Sequence, residues 1–277
     1  MSGGGRIGRV AAGAFLAALY LFLFAPLLVV AGASLGGGDR PYVRFPPDTW
    51  SLEWYRRMPP GYLESLQVSA LLAAATAVAA LFLAVPAALA LVRGRFPGRR
   101  LAGVMLRAPL QIPYVVTGIA FLQTYYLVGG AVGLNLRGHP VGLLLGHVFL
   151  ATPYAIGALV AVLERFPPRL EEAAQGLGAS GWRVFRRVTL PLIAPGIYAG
   201  GLYAFIVSFG EVPVALFLGG PGVTTFPVQV FAAMQFDFSP SLLAISTLTL
   251  IVSLVLLLAL QRLIGIDTLL RAGGGRR

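Results

Sequence analysis

Six stretches of this chain run free of arginine, lysine, aspartate and glutamate for as long as a membrane crossing requires. They lie between Arg9 and Asp39, Glu64 and Arg93, Arg107 and Arg137, Arg137 and Glu164, Arg187 and Glu211, and Asp237 and Arg262. A helix rising about 1.5 Å per residue needs about 20 apolar residues to cover roughly 30 Å of hydrocarbon. Trimming turn residues predicts spans at 10–33, 66–92, 108–128, 141–163, 196–218 and 241–264. The fifth runs through Glu211, and Pro109 and Pro113 kink or delay the start of the third. The expected fold class is therefore an all-α polytopic membrane protein with six transmembrane helices. Composition agrees: 57% of residues are hydrophobic, 11% are charged, and mean hydropathy is +0.83. A soluble domain carries about 25% charged residues.

Several chemistries are excluded outright. There is no cysteine, so no disulfide, thiolate metal site or cysteine nucleophile. Two histidines, His139 and His147, cannot build a histidine-rich metal centre. All 21 basic residues are arginine, and a Walker A phosphate loop needs a lysine. No cofactor is expected, and the chain does not bind ATP through a P-loop of its own.

The arginines set the orientation. With the N-terminus inside, the cytoplasmic segments hold Arg6, Arg9, Arg93, Arg95, Arg99, Arg100, Arg107, Arg165, Arg169, Arg183, Arg186, Arg187, Arg262, Arg271, Arg276 and Arg277, which is 16 of the 21. The outer segments hold Arg40, Arg44, Arg56, Arg57 and Arg137, the other 5. Both termini are expected in the cytoplasm. The net charge of +11 reads as an orientation signal, and its scatter over short inner segments argues against a nucleic-acid partner. Arg6, Arg9 and Ala31-Gly32-Ala33 resemble a cleavable leader, but the apolar run is about twice a usual leader core. No separate domain is visible. The outer segment 34–65 and the inner segment 164–195 both fall below the roughly 40 residues of a self-supporting fold. The chain thus reads as a single domain, 1–277. Gly3-Gly4-Gly5 and Gly273-Gly274-Gly275 read as flexible tails.

The inner segment is the most informative. Pro168 suits a first helical position, Glu171 and Glu172 suit the positive end of the helix, and Gly176 and Gly178 stop it. Ser180 can cap a second short helix that puts Trp182, Phe185 and Val188 on one face and Arg183, Arg186 and Arg187 on another. Pro191 and Pro195 are expected to break the backbone before it returns to the membrane. A connection needs only a few residues, so this length implies a docking surface or an amphipathic helix lying on lipid.

Glu172-Ala173-Ala174, three residues, Gly178, nine residues, Val188, one residue, then Leu190-Pro191 resembles the EAA loop of ABC importer permeases, with Val188 in place of isoleucine. The likeness implies an ATP-driven importer subunit whose coupling loop, 164–195, seats on a separate ATPase. Glu172 would face that ATPase, Gly178 would allow a close turn, and Leu190-Pro191 would set the return into span five. It also implies an ATPase dimer, a second permease subunit and an external solute-binding protein as partners, alternating access as mechanism, and a bacterial inner membrane as location. Phe45-Pro46-Pro47 with Trp50-Ser51-Leu52-Glu53-Trp54-Tyr55 is similar to the outer segment after the first span of these permeases, and reads equally as an aromatic belt. Leu218-Gly219-Gly220-Pro221-Gly222 to Phe226-Pro227-Val228 is similar to the spermidine/putrescine-type branch, which also includes relatives for ferric iron and thiamine.

Glu211 is the one acid deep in an expected span, where a carboxylate costs about 2.5–3.5 kcal/mol. It reads as facing a water-filled path together with Ser208 and Phe209, or as a structural hydrogen-bond acceptor. Polyamine-type relatives often carry an Asp pair after the Ser-Phe, where this chain has Gly210-Glu211. A lone carboxylate suits a small cation; an anion, ferric iron or thiamine are the alternative cargoes. Asp237 and His139 read as solvated loop residues, His147 as a buried hydrogen-bonding residue, and Tyr125 and Tyr126 as interface anchors. Gly142 with Gly146, and Gly196 with Gly200, are spaced for close helix packing. A self-sufficient secondary transporter would predict several intramembrane charges and internal repeats, whereas the spans hold one charge and no repeat. A membrane enzyme would need a catalytic polar cluster that is missing.

The arginine bias generates a topology test in this cysteine-free chain. Single cysteines at Gly36 and Gly222 should react with an impermeant thiol reagent from outside intact cells, and one at Gly274 should not.

Overall fold

The computed structural model describes residues 4–38, 43–236 and 240–264. Among them the chain is built of helices: α1 Gly4–Ala33, α2 Glu53–Arg56, α3 Pro60–Arg93, α4 Arg99–Arg107, α5 Tyr114–Val132, α6 Pro140–Leu163, α7 Arg169–Gly176, α8 Gly181–Val184, α9 Leu190–Phe209, α10 Pro213–Leu218, α11 Phe226–Phe236 and α12 Pro240–Ile264. Four helical runs are long and apolar enough to cross a membrane: Gly8–Ala33, Pro60–Arg93, Pro140–Leu163 and Gly181–Phe209. A fifth arises if the bent pair Arg99–Gln111 and Tyr114–Ala131 is one span. The sixth expected span, 241–264, is helical as α12, whose described apolar part is the shorter Pro240–Val255.

Two expected spans need correction. The third, 108–128, is not one helix. α4 passes into a turn of 3-10 helix over Ala108–Gln111, the chain bends by 101°, and α5 starts at Tyr114. Pro113 causes the bend, since proline forces the preceding Ile112 out of the helical region (φ −93°, ψ 128°). The fifth, 196–218, is wrong at both ends. Helix begins upstream, because Pro191 falls in the first turn of α9, where its missing N–H costs nothing. Pro195 sits inside α9 without ending it, and a π turn over Phe185–Thr189 carries the register change between α8 and α9. At the other end α9 stops at Phe209. Likewise Gly4 and Gly5 belong to α1 rather than a tail, because the apolar run behind them propagates the helix. Gly273–Gly275, Asp237, Arg40, Arg271, Arg276 and Arg277 lie outside the described residues.

The chain packs as two units. In one, residues 1–62 with 232–255, the segment after α1 folds back on itself. Gly36 and Trp50 form an antiparallel bridge, Gly37 N donates to Thr49 O and Ser51 N to Leu35 O, and the Ser34 and Tyr55 hydroxyls lie 2.7 Å apart. The side chains of α1 are turned outward along the crossing segment. That all-round apolar surface is stable only against lipid or another chain.

The other unit, residues 63–231 with 256–277, holds the main core. Its axis is α6, the most buried of the crossing helices. Ala80, Ala84 and Ala88 of α3, Ile156, Leu159 and Leu163 of α6, and Ile193 and Ala204 of α9 form one cluster. The small residues let backbones approach: a methyl on Gly200 would lie 3.1 Å from the Ala155 carbonyl oxygen, and one on Gly196 3.3 Å from Leu159 Cα. The expected packing role of this glycine pair is thus met. Gly142 instead faces the Leu136 carbonyl. Tyr125, expected as an interface anchor, is buried and donates from its hydroxyl to the Gly142 carbonyl at 2.7 Å, while Tyr126 is exposed.

Gly200→Leu should force α9 off α6 and lower stability by about 1–3 kcal/mol, read as a fall in the thermal midpoint of the purified protein. Gly157→Ala, at a position with open space beside it, should leave the midpoint unchanged.

Candidate functional site

Segment 164–195 forms a compact element of short helices. α7 starts after Pro168 and ends at Gly176, with Glu171 and Glu172 in its first turn. Gly178 takes φ +85°, a left-handed conformation that glycine adopts without strain, and Ala179 N closes the turn onto the Ala174 carbonyl at 3.1 Å. Consecutive residues on a helix point about 100° apart. Here that divides the acid pair: Glu172 is exposed, and Glu171 is turned inward. Arg93 Nε donates to Glu171 Oε2 at 2.9 Å, and Thr189 Oγ1 donates to Glu171 Oε1 at 2.8 Å. The outward face carries Ala173 and Leu177, the latter 90% exposed. Trp182, expected on one apolar face with Phe185 and Val188, is 70% exposed and stacks on Phe185, whereas Val184 and Thr189 are the buried positions. The α8 turn is anchored by a valine and a threonine, so its tryptophan is left free. Val188 and Leu190 are half-buried and Pro191 is exposed.

The second cluster is the break where the fifth span was expected to continue. Gly210 ends α9, and Pro213 opens α10. Glu211 stands between them, 3% exposed. Val214 N donates to Glu211 Oε1 at 2.6 Å, and Ala215 N donates to Oε2 at 2.8 Å. These are among the amides that a helix start leaves without intrahelical partners, and Val214 and Ala215 are buried away from water. The carboxyl group therefore caps α10 with both oxygens. α10 itself lies in a cradle of small residues. A methyl on Gly118 of α5 would come 2.7 Å from Phe217, and one on Gly146 of α6 2.9 Å from Val214.

Behind the break runs a buried polar chain. His147 Nδ1 pairs with Ser208 Oγ at 2.8 Å, and Ser208 Oγ donates to Thr76 Oγ1 at 3.2 Å. His147 is fully buried, as read from the sequence, and its Nε2 lies 3.8 Å from Glu211 Oε2 without a hydrogen bond. Phe209 is half-buried and stacks on Phe205. The structure thus brings Ser208 and Glu211 into one cluster with His147 and Thr76, and keeps them apart from segment 164–195. Sequence reasoning missed Thr76, Glu171, Arg93 and Thr189. It also missed the helix restart, which Gly210 and Pro213 flanking Glu211 do signal.

Residues 78–266 match the family described as binding-protein-dependent transport system inner membrane component. The chain belongs to this family. As a binding-protein-dependent permease it is 34% identical over 234 residues to the putrescine transport system permease protein PotI of Escherichia coli (strain K12), covering 83% of this chain and 82% of that one. It is 29% identical over 259 residues to the spermidine/putrescine transport system permease protein PotC of the same strain, covering 92% and 94%. Its fold matches a solved bacterial ABC transporter involved in the import of the acidic polysaccharide alginate, with a TM-score of 0.74 at 20% identity over 95% of this chain and 98% of that one. The permease is a multi-pass inner-membrane subunit of an ABC importer, and its relatives are transport proteins rather than enzymes.

The double cap generates a stability prediction. Glu211→Leu leaves two buried amides unpaired, at about 1–3 kcal/mol each, and should reduce the yield and thermal midpoint of the subunit. Glu211→Gln keeps one acceptor oxygen and should fall between Leu and wild type.

Proposed function

We propose that this permease carries a small organic cation of the putrescine or spermidine type from an external solute-binding protein to the cytoplasm. The observation that carries the cargo assignment is the 34% identity to PotI, extending over most of both chains. The full assembly on this reading contains an ATPase dimer, which alone hydrolyses ATP, a second permease subunit and the binding protein. The chain forms one permease domain with six spans and both termini in the cytoplasm, in line with the arginine distribution.

In this proposal the coupling loop 164–195 seats on an ATPase through the outward face of α7. Glu172, Ala173 and the neighbouring Leu177 make that face, Ala174 and Gly178 close its turn, and Val188, Leu190 and Pro191 lead the chain into α9. What supports it is a charged and apolar surface left exposed on a helix whose other side is tied to the protein body. Closure of the ATPases would move this loop, and the permease halves would alternate between outward-open and inward-open states. Ser208, Phe209 and Glu211 stand along the path in this reading, where the half-buried Phe209 is the side chain left available to solute. Glu211 would contribute by holding α10 in place, since both of its oxygens are engaged.

Two measurements test the proposal. Proteoliposomes holding the reconstituted complex and its binding protein should take up labelled putrescine only with ATP inside, and excess spermidine should compete while sulfate should not. Competition by sulfate would remove the cation assignment. Glu172→Arg should strip the ATPase from the purified complex and abolish uptake, with membrane insertion normal. Full transport by that variant would remove α7 as the docking helix.

A further inference from the structure

Of the two acids that open α7, Glu171 is the one turned toward the protein body. Glu171 is held on both oxygens by groups from two different elements. Arg93, the last residue of α3, donates through Nε to Oε2 at 2.9 Å, and Thr189, in the π turn ahead of α9, donates through Oγ1 to Oε1 at 2.8 Å. The same guanidinium donates through its second terminal nitrogen to the Phe166 carbonyl at 2.9 Å, just beyond the end of α6. One carboxylate and one guanidinium thus join α7 to the ends of α3, α6 and α9. The Arg93 and Glu171 side chains are only 22% and 18% exposed, so the pair is shielded where a surface ion pair would be screened. Charge-assisted bonds of this kind are short and directional, and they resist shear better than apolar contact.

The contrast with the rest of α7 is what makes the knot specific. Its outward residues Glu172 and Ala173 and the following Leu177 are exposed, and none of the helix's residues is fully buried. Apolar packing alone would let so short a helix rock on its support. The Thr189 bond also falls on the one turn between α8 and α9 where the helix widens to π register, the local feature most able to change register under load. We infer that Glu171, Arg93 and Thr189 form the linkage that passes movement of the docking helix to the membrane helices, with Glu171 as a positioning residue and no contact to ATPase or solute. This rests on α7 being the docking helix, as proposed above.

The test uses the full complex in proteoliposomes, with a single cysteine at Gly222 as reporter of the far end of the permease. Two quantities are read: ATP hydrolysis per complex, and the change in labelling rate of that cysteine between nucleotide-free and vanadate-trapped states. Glu171→Ala should keep the ATPase bound and hydrolysing, while the nucleotide-dependent change in labelling falls by about tenfold, the equivalent of one lost charge-assisted bond. Arg93→Gln should give the same phenotype and should not add to Glu171→Ala, and the exchanged pair Arg93→Glu with Glu171→Arg should recover part of the change. Wild-type labelling behaviour in Glu171→Ala would overturn the inference. So would loss of the ATPase from that variant, which would make Glu171 a docking residue. Should the docking proposal itself be wrong, Glu172→Arg would retain the ATPase, an outcome read separately from the Glu171 result.

Discussion

A helix that starts in an apolar interior exposes amides that its surroundings cannot satisfy, and this permease meets that constraint with one carboxylate. Glu211 accepts from Val214 N and Ala215 N, so the chain can end α9, turn, and start α10 with those amides paired. Much else is arranged around that break. Gly118 and Gly146 remove the side chains that would collide with α10, and its Leu218 carbonyl receives Gly138 N at 2.9 Å, which fixes the turn before α6. Ser208, one turn earlier, is tied to His147 and through its own hydroxyl to Thr76, so α3, α6 and α9 share one polar chain at this level. A lone acid in an apolar run invites a reading as a charge that meets solute. Its two short bonds to backbone amides give it a sufficient structural reason to be there.

The opposite end of the same unit solves a different problem. On the proposed reading, α7 must offer a free face and still be fixed to the protein body. The sequence places two glutamates side by side, and helical geometry points them in different directions. Glu172 is left outward, and Glu171 is committed to Arg93 and Thr189. Gly178 then folds the chain back within four residues, so that α8 and the π turn lie beside α7 and feed into α9. α6 and α9, packed together through Gly196 and Gly200, connect this end to the Glu211 break.

Apolar runs and arginine spacing made the helical class legible, because bilayer thickness and charge exclusion act on composition and need no knowledge of contacts. The helices and turn of segment 164–195 were legible for a related reason: capping acids, Gly178 and the prolines act locally. Their local meaning could still be misjudged. Pro191 and Pro195 looked like breaks, yet a first-turn proline sacrifices no bond, and the π turn preceding α9 accommodates the register change. Pro113 was read correctly as a disturbance, but the size of the bend it causes depends on what α5 packs against. The partners of Glu171 and Ser208 were beyond sequence reasoning. Arg93 stands 78 residues from Glu171, and Thr76 stands 132 from Ser208, separations that only the packed helices close. Tyr125 was misplaced because an aromatic near a span end looks alike whether its hydroxyl meets water or the Gly142 carbonyl.

The central claim is that Glu211 is buried at the α9–α10 break to hold a broken helix together. It is tested most directly by an electron cryomicroscopy structure of the whole importer trapped with solute in the membrane path. The account predicts both carboxylate oxygens within hydrogen-bonding distance of the Val214 and Ala215 amides, with α10 intact and the solute held by other groups. A Glu211 side chain turned away from those amides and bonded to the solute would contradict it.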